Sequence, residues 1–218
     1  MKSDLSNTAY EILLERIITN KYPPGYMLNE LGLHEELNIS RTPIHTAMIM
    51  LQQENLVEIR PKKGIRVTDI TADTIRDIYD VRTLMETYAL KNFGMRFEKT
   101  KVLEYLKLFR EEYAEARFEQ VFQYDVQFHM DIVELTQNKI MCAYYSSLRN
   151  QFIRLSNFSG RNSEKRVNHS NQEHIDILTA ILQDDIDTAV AALTSHLKKA
   201  RETAYRVIIL HDNTPNAT

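Results

Sequence analysis

One aspartate and three histidines in this chain are spaced so that they could hold a metal ion. Asp125 and His129 lie four residues apart in a stretch rich in Phe122, Phe128, Ile132 and Val133. On a helix their side chains therefore leave from one face, one turn apart. His174 and His196 are separated by 22 positions, and the acidic pair Asp184-Asp185 falls near the midpoint. Folding that stretch as an antiparallel helical hairpin brings the two imidazoles level with each other. One carboxylate and three imidazoles suit a divalent transition metal such as Zn²⁺, Ni²⁺, Mn²⁺ or Fe²⁺ better than Ca²⁺ or Mg²⁺, which take oxygen ligands. Spacing alone leaves a second reading open, in which each imidazole is a hydrogen-bonded core or surface residue.

A second constellation sits near the N-terminus. Ile44, Ala47, Met48 and Leu51 recur at the interval of a core-facing helical stripe, which turns Arg41, Thr42, His45 and Thr46 outward. Arginine can grip guanine O6 and N7 with two hydrogen bonds, and the hydroxyls of Ser40 and Thr42 can anchor phosphates. Arg60, Lys62, Lys63 and Arg66 fall within seven residues that contain no acid. Lys62 and Lys63 would place positive charge beside a minor groove and its phosphates, and Gly64 permits close approach. The plain alternative is a surface helix beside an unrelated hairpin. Farther along, Arg82 could pair with a ligand carboxylate in bidentate fashion or form a salt bridge to Glu86, one turn on. Arg154 and Arg149 are further candidate cations for a ligand. Tyr124, Tyr144 and Tyr145 would either line a pocket or fill the core.

The elements that must position these residues follow from periodicity. Tyr10, Leu13, Leu14, Ile17 and Ile18 mark a first helix, which Tyr22-Pro23-Pro24-Gly25 stops. Short helices are expected over 29–37 and 42–55, crossing steeply through Asn38-Ile39-Ser40. Either Thr42, with Pro43 opening the helix, or Ser40 would serve as N-cap of the latter. Alternating residues 56–60 and 65–68 read as two strands of a hairpin with Pro61-Lys62-Lys63-Gly64 at its tip. Helix, helix-turn-helix and two-stranded wing in this order describe a winged helix over residues 1–70. From Thr71 the pattern becomes all-helical, with about six helices expected near 72–94, 99–115, 118–136, 139–158, 167–183 and 186–210. A loop is expected at 159–163, and the helical domain as a whole spans 71–212. The fold class is thus mainly α, a winged helix-turn-helix followed by a helical bundle.

Composition narrows the function classes. With 218 residues and 43% apolar content, two small domains can each bury a core. Glycine occurs at only five positions, none of which spells a dinucleotide-binding or P-loop signature. A net charge of −3 argues against coating nucleic acid by bulk electrostatics, so any DNA contact must be local. Residues 1–70 carry 8 Lys/Arg against 9 Asp/Glu, so the N-terminal part is not basic overall either. The single cysteine, Cys142, and the absence of an apolar leader fit a cytoplasmic protein. No apolar run approaches the roughly 20 residues needed to span a membrane.

The motifs Pro23-Pro24-Gly25, Leu28-Asn29-Glu30, Ser40-Arg41-Thr42-Pro43-Ile44, Leu51, Leu56-Val57, Pro61 and Gly64 resemble the DNA-binding domain of the GntR superfamily of transcriptional regulators. The resemblance implies that Ser40, Arg41, Thr42 and the wing around Gly64 touch operator DNA. It also departs from the usual pattern, with His45 in place of an arginine and Gly32 in place of a small residue such as alanine. His45 is a shorter, conditionally charged donor, so an altered base preference is expected there. Asp125 and His129, Glu173-His174 with Ile177 and Ala180-Ile181, then Asp185, Ala189 and Ser195-His196-Leu197 resemble the helical ligand-binding domain of the fatty-acid-regulator (FCD) branch of that superfamily. In many members of that branch an aspartate and three histidines at these places hold a metal. The resemblance therefore implies that Asp125, His129, His174 and His196 are ligands and that a small carboxylate effector completes the coordination. Acyl-CoA-binding members lack this set, which speaks against that ligand. The segment around Arg82 resembles one whose arginine faces the ligand cavity. A regulator of this kind would bind a palindromic operator as a homodimer. Two other functions compete. An Asp/His₃ metal could activate water in a hydrolase-like enzyme, but Glu173 points about 100° away from His174 around the helix, no GxSxG occurs and Cys142 lacks a catalytic partner pattern. Alternatively the metal itself could be the signal.

Overall fold

The computed structural model describes residues 2–112, 118–160 and 164–212. The chain divides into two compact units, Met1–Ile70 and Thr71–Thr218. The first contains α1 (Lys2–Ile18), β1 (Met27–Leu28), α2 (Glu30–Leu37), α3 (Arg41–Gln53), β2 (Val57–Arg60) and β3 (Gly64–Val67). The second contains α4 (Ala72–Phe93), α5 (Lys99–Lys107), α6 (Phe118–Glu134), α7 (Lys139–Ser147), α8 (Arg149–Gly160), α9 (Glu164–Leu182) and α10 (Ile186–Asp212).

In the first unit the outward residues of α3 are fixed by what its other face buries. Ile44, Ala47, Met48 and Leu51 are fully enclosed against Ala9, Leu13 and Ile17 of α1 and Leu33 of α2. A Leu or Met buried this way contributes about 2 kcal/mol, so the helix cannot rotate to hide Arg41 without exposing the stripe. α3 begins at Arg41 with Ser40 as N-cap, two residues earlier than a Thr42 cap would place it. Pro43 therefore falls at the third helical position, where its missing N–H is still one of the unpaired first-turn donors. Asn29 caps α2 by accepting from the Leu31 N–H at 3.0 Å, and Asn38 ends it in the left-handed region at φ 52°.

The wing is a three-stranded antiparallel sheet in the order β1-β3-β2. Its middle strand pairs Val57 with Val67 and Arg60 with Gly64 on one side and Leu28 with Ile65 on the other. The two-residue β1 was not expected from sequence, because so short a segment has no periodicity to read. It is set by the turn before it: Tyr26 N–H donates to the Pro23 carbonyl at 3.0 Å, and Gly25 takes φ 82°, as position three of a type II turn requires. At the other end Gly64, at φ 94°, closes the three-residue loop Pro61-Lys62-Lys63.

In the second unit Thr71 caps α4, accepting from the Thr74 N–H at 3.1 Å. α4 packs along α10, and α9 and α10 form an antiparallel hairpin turned at Asp184, φ 60°, with the Asp185 carboxylate accepting from the Thr188 N–H at 3.0 Å. The expected helix over 139–158 is two helices, α7 ending at Ser147 and α8 starting at Arg149, with Leu148 between them at φ −92°, ψ −4°. The unit thus has seven α-helices among the described residues rather than about six. The expected helix over 99–115 ends as α5 at Lys107 and continues as a π-helical turn, Leu108–Glu112; residues 113–115 lie outside the described residues. Ser159 and Gly160, expected in a loop, close α8, while residues 161–163 of that loop fall outside the described residues.

Candidate functional site

Asp125 and His129 come from α6, His174 from α9 and His196 from α10, and one ligand atom from each lies within 4.8 Å of all the others. The three imidazole side chains are 1–2% exposed and Asp125 is 13% exposed. His174 Nε2 is 3.1 Å from an Asp125 oxygen and 3.3 Å from His129 Nε2. The rings pack on one another, His129 on His196 at 5.2 Å and His174 on His196 at 4.5 Å between centroids.

The far nitrogens explain why the near ones converge. His129 Nδ1 meets a Glu86 carboxylate oxygen at 2.6 Å, and His196 Nδ1 meets Glu173 at 2.9 Å. A carboxylate on Nδ1 keeps the proton there and leaves Nε2 as a lone pair aimed inward. Burial pushes His129 below its ordinary range, and burial together with neighbouring His174 pushes His196 down to about 3. Both rings are thus neutral at physiological pH, the state in which imidazole ligates. Burial would raise the Asp125 carboxyl, but the hydrogen bond and charge of His174 hold it far below the usual carboxylate range. His174 Nδ1 is buried without a hydrogen-bond partner among the described residues. Its ring lies 4.8 Å from that of Phe109, which the π-helical turn presents and whose carbonyl accepts from Asn171 Nδ2 at 2.7 Å. The Nε2 lone pairs of His129 and His196 and the Asp125 carboxylate crowd one another unless a cation sits among them, so the donor set fits a divalent transition metal.

Glu86 was foreseen only as a salt-bridge partner for Arg82, and that bridge forms: Arg82 Nε donates to Glu86 at 2.8 Å, both side chains at most 4% exposed. The same carboxylate accepts from the Tyr145 hydroxyl as well as serving His129. Nothing in the local sequence reveals this, because Glu86 and His129 are 43 positions apart. Glu173 does point away from His174, as its helical angle requires, but toward His196 on the neighbouring helix. Its other oxygen takes Lys199 Nζ at 3.1 Å. Arg154 is buried on α8, Arg149 is half-buried, and among the tyrosines only Tyr145 joins the site's hydrogen bonds; Tyr124 is half-buried and Tyr144 exposed.

In the first unit Arg41, His45, Lys62, Lys63 and Gly64 line one cleft of about 660 Å³ between α3 and the wing. Ser40 and Thr42 are exposed beside it. Arg41, Lys62 and Lys63 have no carboxylate partner among the described residues. The basic cluster is smaller than its composition suggests, since Arg60 pairs with Glu58 at 2.6 Å and Arg66 with Asp69 at 2.7 Å. His45 Nδ1 contacts Glu30 at 2.8 Å, a partner fifteen positions away that no local spacing points to.

Residues 5–67 match the gntR family of bacterial regulatory proteins, and residues 77–199 match the FCD domain. The chain belongs to the GntR family and carries an FCD domain. It is 26% identical over 186 residues to the Nta operon transcriptional regulator of Aminobacter aminovorans, covering 84% of this chain and 86% of that one. It is 39% identical over 89 residues to an HTH-type transcriptional regulator in the TAR-I ttuE-ttuC' intergenic region of Agrobacterium vitis, covering 41% of this chain and 52% of that relative. Among solved structures, a GntR transcriptional regulator from Rhodococcus sp. RHA1 superposes with a TM-score of 0.75 at 22% identity, covering 92% of this chain and 97% of that one. The metal-free FCD domain of TM0439 gives 0.56 at 20% identity, over 65% of this chain and 98% of that domain. These relatives are transcriptional regulators rather than enzymes, so the FCD chain is a DNA-binding regulator with a buried Asp/His₃ cluster of metal-ligating type. No helix among the described residues is long and apolar enough to cross a membrane.

Proposed function

We propose that this GntR regulator binds a two-fold operator as a cytoplasmic homodimer and responds to a small carboxylate metabolite bound at a metal ion in its FCD domain. The observation that carries the reading is the convergence of four donor atoms within 4.8 Å, with Glu86 and Glu173 behind two of the imidazoles. Asp125, His129, His174 and His196 would hold the metal, which supplies a Lewis-acidic centre with open coordination positions. The effector's carboxylate would fill those positions, and we assign Arg82 and the buried Arg154 to its negative charge. Arg82 and Glu86 lie on α4, the helix that follows the DNA-reading unit in the chain. An effector that alters their pairing therefore acts on the element next to the linker, and it needs only a difference in affinity between two arrangements. Arg41 and His45 would meet base edges, Ser40 and Thr42 the phosphates, and Lys62, Lys63 and Gly64 the backbone beside the wing.

The test uses purified full-length protein, elemental analysis and gel shifts on a selected operator. The expected results are about one divalent metal per chain, loss of that metal in His174→Ala, and release or tightening of operator binding by carboxylates only in the metal-loaded protein. Arg41→Ala should weaken specific binding by about 1–3 kcal/mol. Full metal content in His174→Ala would overturn the coordination, and an operator response to metal alone would make the metal the signal.

A further inference from the structure

Among the described residues, the cleft between the wing and the face of α3 that would enter the major groove is lined by one acid. Among the residues lining it, Glu30 alone carries negative charge, beside Arg41, Arg60, Lys62 and Lys63. Glu30 is the first residue of α2, where a carboxylate is favoured by the exposed N–H groups of the helix start. That accounts for an acid at this position. It does not account for where the carboxylate goes: Oε1 reaches across to His45 Nδ1 at 2.8 Å, fifteen positions along the chain, on the outward face of α3. The two side chains are 35% and 53% exposed, so the contact is made at the surface that faces the cleft rather than in the core.

We propose that Glu30 is a specificity-determining residue that fixes which base His45 reads. The proposal rests on the reading that α3 enters the major groove. A carboxylate on Nδ1 holds the ring in one orientation and keeps the ring proton on that nitrogen. Nε2, on the opposite side of the ring, is then a lone pair presented to the groove. An acceptor at this place pairs with an amino group, cytosine N4 or adenine N6, and not with guanine or thymine, which offer only acceptors in the major groove apart from the thymine methyl. Without the carboxylate the ring can turn and present an N–H from either nitrogen, so guanine becomes acceptable as well. Glu30 thus acts through His45 without touching DNA.

The experiment is in vitro selection of operator sequences by full-length wild type, Glu30→Ala, His45→Ala and the double variant, with thermal melts and Arg41→Ala gel shifts alongside. The wild type should select cytosine or adenine at one position in each half-site, and His45→Ala should blur that position. Glu30→Ala should lower the preference there by about tenfold, the scale of one hydrogen bond, while leaving the other positions and the melting temperature nearly unchanged. The double variant should look like His45→Ala. A merely structural Glu30 would shift the melt and weaken all sequences alike, leaving the motif intact, and that result overturns the proposal. So does loss of binding when 7-deazaguanine replaces guanine at the position His45 controls, which would show a donor reaching guanine N7, or an unchanged motif in His45→Ala. Unchanged affinity in Arg41→Ala instead removes the reading of α3 on which the proposal stands.

Discussion

Glu86→Gln is the substitution whose cost can be worked most directly from the geometry. The carboxylate is fully buried and takes Arg82 Nε at 2.8 Å, His129 Nδ1 at 2.6 Å and the Tyr145 hydroxyl. Glutamine supplies one acceptor oxygen and turns an N–H₂ toward three donors. Arg82 then stays buried without its counter-charge. Breaking a buried charge pair from one side costs about 3–5 kcal/mol. An independent route gives a similar figure. Burial alone would raise the Glu86 carboxyl, but Arg82 and His129 hold it at about 2 against an ordinary 4.5. At about 1.4 kcal/mol per tenfold in proton affinity, that difference corresponds to about 3 kcal/mol. Because the folded-state value is depressed, this stability is fully present above about pH 4.5 and is lost as pH falls toward 2. For a domain of this size the melting temperature of Glu86→Gln should drop by roughly 6–20 °C at neutral pH. Circular dichroism melts on metal-free protein at a series of pH values measure both effects. The wild type should converge on the variant as the pH approaches 2, and Arg82→Met added to Glu86→Gln should recover part of the loss. A neutral-pH drop of less than about 2 °C, or parallel pH curves for the two proteins, would show that Glu86 does not hold this cluster together.

Other perturbations separate the metal site, the groove surface and the packing. Glu173→Gln removes the carboxylate behind His196 and should lower metal affinity by about 10–100-fold, read by chelator competition; unchanged affinity would deny Glu173 its orienting role. His45→Arg should move selection toward guanine at one half-site position, since arginine grips O6 and N7, and an unaltered selected motif would mean that residue 45 does not reach the bases. Gly94→Ala would bring a methyl group to 2.8 Å from Ile186 Cδ1 and 3.2 Å from Leu90 Cδ1. Overpacking of this kind costs about 1–3 kcal/mol, so a melt as stable as wild type would mean that the contact between α4 and the start of α10 relaxes freely.

What could be read from sequence was whatever depends on neighbours along the chain. The stripe Ile44, Ala47, Met48 and Leu51 fixes which side of α3 is buried, and the order of elements around it specifies a winged helix. The i, i+4 placement of Asp125 and His129 and the break between His174 and His196 suffice to set the donors level within each pair, while the packing of α6 against α9 and α10 brings the two pairs together. The stripe and the placement within each pair are consequences of helical period and turn chemistry, which every residue feels locally. Only the packed structure decided which charges cancel and which side chains are oriented. Arg60 and Arg66 look basic in sequence but are neutralised by Glu58 and Asp69. Glu86, Glu173 and Glu30 acquire their partners His129, His196 and His45 only when separate helices meet. The break at Leu148 and the π-helical turn that sets Phe109 on His174 belong to the same class. A hydrogen bond between helices depends on distances of a few tenths of an ångström and on angles that no linear spacing encodes.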